Sequence, residues 1–109
     1  MTYQTVQVPN GTSYIPVSRE CRLNSIVAVA NATPGAAATV TVTKADATAL
    51  AVATLSGAAA GAAGAGVMNA TTGNSKIAGG GVLKVVCASS NNVGFGLTID
   101  LDPFCIGAK

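Results

Sequence analysis

The stretch 93–102, V-G-F-G-L-T-I-D-L-D, decides the fold that this sequence predicts. Its large apolar residues fall on one side of an extended chain: Phe95, Leu97, Ile99 and Leu101. This period of two is typical of a β-strand that buries one face. The same alternation recurs over 39–44 and 82–88. We therefore predict an all-β protein.

Turn signals separate the other apolar segments. Asn10-Gly11 lies between the extended runs 3–8 and 12–17 and predicts a β-hairpin. The run 23–30 is apolar on both faces, which predicts a central strand covered on both sides. Together these segments predict a small antiparallel β-sandwich or jelly-roll-like barrel of about seven strands, with an extended N-terminal arm.

The length of 109 residues indicates one domain, 1–109. Within it we assign 1–18 to the N-terminal hairpin or arm and the Ala/Gly-rich tract 57–66 to a loop. Pro103 stops the last strand, so 103–109 is predicted to be a C-terminal tail. Much of the apolar content is alanine, which buries little area, and this thin core favours further burial between subunits.

Charge is scarce. Only 9% of the residues are charged and the net charge is +2, which does not favour nucleic acid as a partner. One local cluster, Arg19, Glu20 and Arg22, is mixed in sign. It is interpreted either as a solvated turn or as a subunit contact.

The residues needed for catalysis are missing from the sequence. It contains no histidine, which removes the commonest general base and every Ser-His or Cys-His arrangement. Asp100 and Asp102 share a strand face, but no third acidic residue lies near them in sequence to complete a calcium site. Neither glycine-rich stretch matches a phosphate-binding loop. We predict no catalytic, cofactor-binding or metal-binding residues, and hence no enzyme.

The three cysteines, Cys21, Cys87 and Cys105, lie far apart and show no metal-ligand spacing. They are interpreted as buried thiols; Cys21 and Cys105 would pair only if the fold brought them together. The N-terminus has neither a basic region nor an apolar run, which favours assembly in the cytoplasm over secretion. The uncharged run 47–68 is too rich in glycine, alanine and threonine to favour a membrane helix.

Two tyrosines flank the Asn10-Gly11 turn and are interpreted either as edge packing or as interface anchors. With their neighbours and the two arginines they make up the candidate subunit or capsid interface: Tyr3, Gln4, Tyr14, Ile15, Arg19 and Arg22.

Four segments in order resemble the strands of small β-sandwich head proteins of tailed bacteriophages. They are T-V-T-V-T-K-A-D (39–46), A-L-A-V-A-T-L-S-G-A-A-A-G (49–61), S-K-I-A-G-G-G-V-L-K-V-V (75–86) and G-L-T-I-D-L-D-P (96–103). The third segment departs from the usual form, which has an acidic residue after its glycine where this chain has Gly79-Gly80-Gly81.

The resemblance implies a decoration, or cement, protein on the outside of the capsid. Such a protein would bind the major capsid protein as a homo-oligomer, commonly a trimer, and would contact neither nucleic acid nor membrane. It would be assembled in the host cytoplasm and end on the virion surface. The alternative is another phage structural or host-attachment module, such as a head fibre base or a tail component.

Overall fold

A computed structural model of the chain describes residues 2–17, 20–57, 61–73 and 76–103, without the side chains of 2–4 and 103. Within these residues the protein is all-β, and nine antiparallel strands form a nearly closed, barrel-like sheet. The predicted fold class is thus confirmed, with nine strands in place of about seven.

The strands alternate with short turns along the chain. Their bounds are β1 Thr2–Val8, β2 Gly11–Pro16, β3 Cys21–Ala30, β4 Ala38–Lys44, β5 Ala49–Thr54, β6 Ala63–Met68, β7 Lys76–Ile77, β8 Val82–Ser89 and β9 Phe95–Pro103.

The order of strands across the sheet is β1-β9-β3-β6-β5-β4-β8-β2, and β7 pairs separately with β3. The first two strands of the chain therefore form the two ends of the sheet. Strand β6 joins the two halves, because Ala63 to Ala65 pair with β3 whereas Gly66 to Met68 pair with β5.

The N-terminal hairpin predicted at Asn10-Gly11 does not form. Strand β1 pairs with β9, and β2 pairs with β8 on the other half of the sheet. Pro9 and Asn10 therefore cross from one half to the other. The Asn10 side chain ties this crossing to the end of β8, since its Oδ1 accepts hydrogen bonds from the Ser89 amide (3.1 Å) and from Ser89 Oγ (3.2 Å).

The predicted loop over 57–66 is also corrected, because its last four residues belong to β6. The alternation in 63–68 is alanine against glycine, A-G-A-G-V-M, rather than apolar against polar. Such a strand lacks the large side chains by which strands are usually recognised.

The core lies between the two halves of the sheet and follows the predicted alternation in β9. Phe95, Leu97 and Ile99 are fully buried, and Leu101 is nearly so. Strands β4 and β8 contribute Val40, Val42, Leu83 and Val85 from the opposite half. In the described part of the chain no polar or charged residue is buried, so packing of apolar side chains holds the two halves together.

Candidate interaction surfaces

The described residues contain no group of three or more His, Cys, Asp or Glu side chains that could hold a metal ion. A surface depression of about 180 Å³ lies at one end of the barrel. It is lined by Lys44, Ala45, Asp46, Ile77, Ala78, Gly81 and Val82. Its two charged residues belong to a turn and to a strand end, and none of its side chains is a nucleophile paired with a base.

Asp46 in this depression is used by the turn between β4 and β5. Its Oδ1 accepts a hydrogen bond from the Thr48 hydroxyl at 2.6 Å and one from the Thr48 amide at 3.0 Å. These bonds favour the ionised carboxylate and lower the pKa of Asp46. The carboxylate therefore stabilises a turn and is a poor general acid at neutral pH.

The described charged residues lie toward one end of the barrel. Eight of the ten charged residues fall within the described ranges, and all eight lie toward the end where β3 begins and β9 ends, which we call the charged end. The loops at the opposite end, whose described residues are 9–10, 31–37, 55–57, 61–62 and 90–94, carry no charged residue. We call this opposite end the neutral end.

Amide and hydroxyl side chains replace charges at the neutral end. Asn31 Nδ2 donates to Gln7 Oε1 at 2.8 Å, and Asn91 Nδ2 donates to the Thr33 carbonyl at 3.0 Å. These bonds connect loops that are far apart in sequence. The neutral end is therefore tied together without ion pairs.

At the charged end, two ion pairs link neighbouring segments. Arg22 Nη2 lies 2.9 Å from Asp102 Oδ2, and Lys76 Nζ lies 3.0 Å from Glu20 Oε2. Because their side chains remain partly exposed, each pair is worth about 0–1 kcal/mol. Arg22, predicted as an interface residue, thus has an intramolecular partner, although its side chain is still 44% exposed.

Three of the four exposed large apolar residues in the described part of the chain lie on β6 and its neighbours. Val27 lies opposite Ala65 across β3 and β6, and Val67 lies opposite Val52 across β6 and β5. The three valines are exposed by 40% (Val27), 36% (Val52) and 76% (Val67). We call these four residues the valine patch. Strand β3 is therefore open to solvent on one face, which corrects the prediction of a strand covered on both sides.

The valine patch is flanked by uncharged side chains along two cross-strand rows that meet β6 two residues apart. Thr98 on β9 continues the row of Val27 and Ala65, and Thr41 on β4 continues the row of Val67 and Val52. These residues carry no charge, so desolvating them removes no ionised group from water.

The inward face of β6 brings its backbone close to the core. A Cβ added to Gly66 would lie 2.1 Å from Ile26 Cγ1, and one added to Gly64 would lie 3.0 Å from Leu55 Cδ2. A side chain at Gly66 would force Ile26 to move, whereas one at Gly64 would make a tight contact with Leu55. Alanine and valine occupy the outward positions, and this arrangement produces the Ala/Gly-rich composition and a smooth outer surface.

The two ends of the sheet provide a second surface. Within the described ranges, β1 and β2 each pair with a single strand. Neither strand contains a charged residue, and β1 also has no proline and keeps an unbroken register against β9. We call the unpaired outer edges of β1 and β2 the seam.

The predicted interface residues are distributed unevenly over these surfaces. Tyr14 on β2 is 62% exposed beside the seam, but Ile15 is buried in the core at 4% and presents no surface to a partner. Tyr3 and Gln4 belong to β1, opposite Asp100 and Ile99. Their side chains and the whole of Arg19 lie outside the described residues.

Sequence reasoning missed the valine patch, because its members come from three strands whose pairing requires the register. The signal that was available is the period of two in 63–68, which places Ala63, Ala65 and Val67 on one face.

The cysteines do not build a site within the described part of the chain. Cys87 is a buried free thiol, and burial raises its pKa to about 11. Cys21 is buried as well, and Cys105 lies outside the described residues, as does any pairing of the two.

The run 47–68, considered above as a membrane helix, instead contains β5 and β6. None of the described segments forms a helix of the length and hydropathy required to cross a membrane. Comparison of the chain with protein-family models, with curated proteins and with solved structures finds no match.

Proposed function

We propose that this chain is a non-enzymatic virion structural protein that binds the outside of an assembled tailed-phage head as an oligomer and stabilises it. The observation that carries the proposal is the valine patch, an uncharged apolar surface on a small domain that offers no chemical centre in its described part. Surfaces of this kind on soluble domains are typical of contact sites. The resemblance of the strand signatures over 39–103 to phage head proteins supports the major capsid protein as the partner.

The valine patch has the properties of a close contact with a protein surface. Val67 is the most exposed of its valines, and covering such a side chain contributes about 1 kcal/mol or more. The flanking threonines can hydrogen-bond at the rim of the contact. Because no charge lies in the two rows, the contact is insensitive to salt compared with a charged interface.

Stabilisation of the head follows from mass action. A ligand that binds the assembled lattice, and not free subunits, lowers the free energy of the lattice by its own binding free energy. An oligomer presents several valine patches at once, so that individually weak contacts add up to a tight attachment.

Co-sedimentation tests this proposal. Purified chain is mixed with expanded heads that were produced without its gene, and in parallel with unassembled capsid protein. We expect the chain to pellet with the heads in a saturable ratio and to ignore free subunits. A chain that stays in the supernatant with heads, or that binds tails instead, would contradict the decoration role.

A further inference from the structure

The seam consists of two unprotected strand edges on one side of the barrel. Exposed edges of soluble proteins usually carry charge, proline or a bulge that prevents another strand from adding to them. Strand β1, T-Y-Q-T-V-Q-V, has none of these features, and β2 has only Pro16 at its end. Their outward N–H and C=O groups are the chemistry that an extended strand satisfies.

We infer that β1 of one copy pairs antiparallel with β2 of a second copy, in a ring of copies around an axis parallel to the strands. The inference rests on the proposed function, because it names the surface by which the proposed oligomer forms. Within one chain the two edges do not pair with each other, because β1 pairs only with β9 and β2 only with β8 in the described residues. Between copies, the backbone N–H and C=O groups of one edge can hydrogen-bond to those of the other.

The register of this pairing follows from the connection between the strands. Only Pro9 and Asn10 separate Val8, the end of β1, from Gly11, the start of β2, so both residues lie at the same end of the barrel, and we place them level with each other in the proposed pairing. Rotation about an axis parallel to the strands preserves height. Val8 therefore lies opposite Gly11 of the second copy, and counting along both strands places Thr5 opposite Tyr14.

The burial pattern agrees with this register. Thr5 and Tyr14 are both exposed, and so are Gln7 and Thr12, which the same register also places opposite each other. A shift by one residue would place exposed Thr5 opposite part-buried Ser13. Outward side chains of one strand would then lie opposite inward side chains of the other.

The absence of charged side chains on β1 and β2 also favours the pairing. Neither strand carries an ionised side chain, so the pairing brings no like charges together. Tyr14 lies opposite Lys84 on β8, and its side chain is 62% exposed. We expect Tyr14 to contribute most of the side-chain contact area.

Paired charge substitutions test the inference by sedimentation equilibrium on the full chain. We expect the unmodified chain to form a cyclic oligomer. T5K/Y14K places two lysines opposite each other at every joint and should raise the dissociation constant about tenfold or more. T5K/Y14E places lysine opposite glutamate and should restore association. Circular dichroism checks that each variant keeps its sheet, and T5E/Y14E repeats the repulsion with the opposite charge.

Three outcomes would overturn the inference: a monomeric unmodified chain, association unchanged in both T5K/Y14K and T5E/Y14E, or no recovery in T5K/Y14E. Head binding is measured separately on the same variants. An oligomer that responds as expected but ignores heads would overturn the decoration role alone. Head binding by a chain that never self-associates would overturn the pairing alone.

Discussion

Gly66 on β6 lies against Ile26 on β3 so closely that a Cβ on Gly66 would be 2.1 Å from Ile26 Cγ1. Strand β6 therefore lies against the core with its backbone at this position. Its outward residues Ala65 and Val67 form the middle of the valine patch. The contact thus accounts for glycine at position 66, beside the surface proposed to meet the capsid.

Substitution of Gly66 by alanine should destabilise the fold by about 3 kcal/mol, because the added methyl group overpacks the core. Chemical denaturation measures the change in the free energy of unfolding. Ala65→Ser, one residue away but facing outward, is the matched control and should change stability by less than about 0.5 kcal/mol.

Ile26→Ala removes the atoms that Gly66→Ala would strike, although it leaves a cavity of its own. The loss of unfolding free energy in the double variant G66A/I26A should therefore be about 1–2 kcal/mol smaller than the sum of the losses in the two single variants. Strict additivity in this double-mutant cycle would show that the contact does not restrict residue 66.

Asn10 should stabilise the crossing between the two halves of the sheet. Asn10→Ala leaves the Ser89 amide and hydroxyl without their acceptor and should cost about 1–2 kcal/mol of unfolding free energy. Asn10→Asp keeps an acceptor oxygen for both bonds and should cost less. Equal losses in the two variants, measured by thermal or chemical unfolding, would be inconsistent with this role.

Much of the fold is predictable from the sequence, because large apolar side chains at a period of two identify the strands that build the core, β9 above all. Strand β6 is harder to predict, because two of its three inward residues are Gly64 and Gly66, which carry no apolar signal. The hairpin at Asn10-Gly11 fails for a different reason. Local turn chemistry favours it, but β9 and β8 offer longer partners to β1 and β2.

The candidate surfaces were only partly predictable. Tyr14 is exposed as an interface residue should be, and the charge-poor surface could be deduced from composition alone. Ile15 occupies an inward position of β2, which the alternation 11–16 already implies. The valine patch required knowledge of which strands are neighbours, and a single sequence does not contain that information.

Val67→Lys should weaken head binding strongly without loss of stability. The side chain is 76% exposed, so a lysine there should change the unfolding free energy by less than about 0.5 kcal/mol. In the complex the same lysine would be desolvated without a partner, which should weaken binding about a hundredfold. Co-sedimentation with heads measures the loss, and Ala78→Lys, exposed far from the patch, is the control. Full binding by V67K would exclude the valine patch as the docking surface.

The Cys87 thiol should make stability depend on pH in the alkaline range. Burial raises its pKa from 9.0 to about 11, so above pH 9 the unfolded chain ionises this thiol while the folded chain does not. Ionisation then favours the unfolded chain, and stability should fall as pH rises between these two values.

Cys87→Ala provides the reference for that measurement. The difference in unfolding free energy between the unmodified chain and C87A should shrink as pH rises from 9 to 11. At neutral pH, alkylation of the peptide that contains Cys87 should proceed only as fast as the chain unfolds. Rapid labelling in the folded state would show that the thiol is accessible.

The central claim, that this chain covers the outside of an assembled head, is tested most directly by electron cryomicroscopy of heads with and without it. The difference map should contain separate β-rich densities of its size at symmetry-related positions on the outer surface, with β6 toward the capsid and the seam toward neighbouring copies. A difference map with no density on the outer shell, or with density only at the tail or inside the head, would contradict the claim.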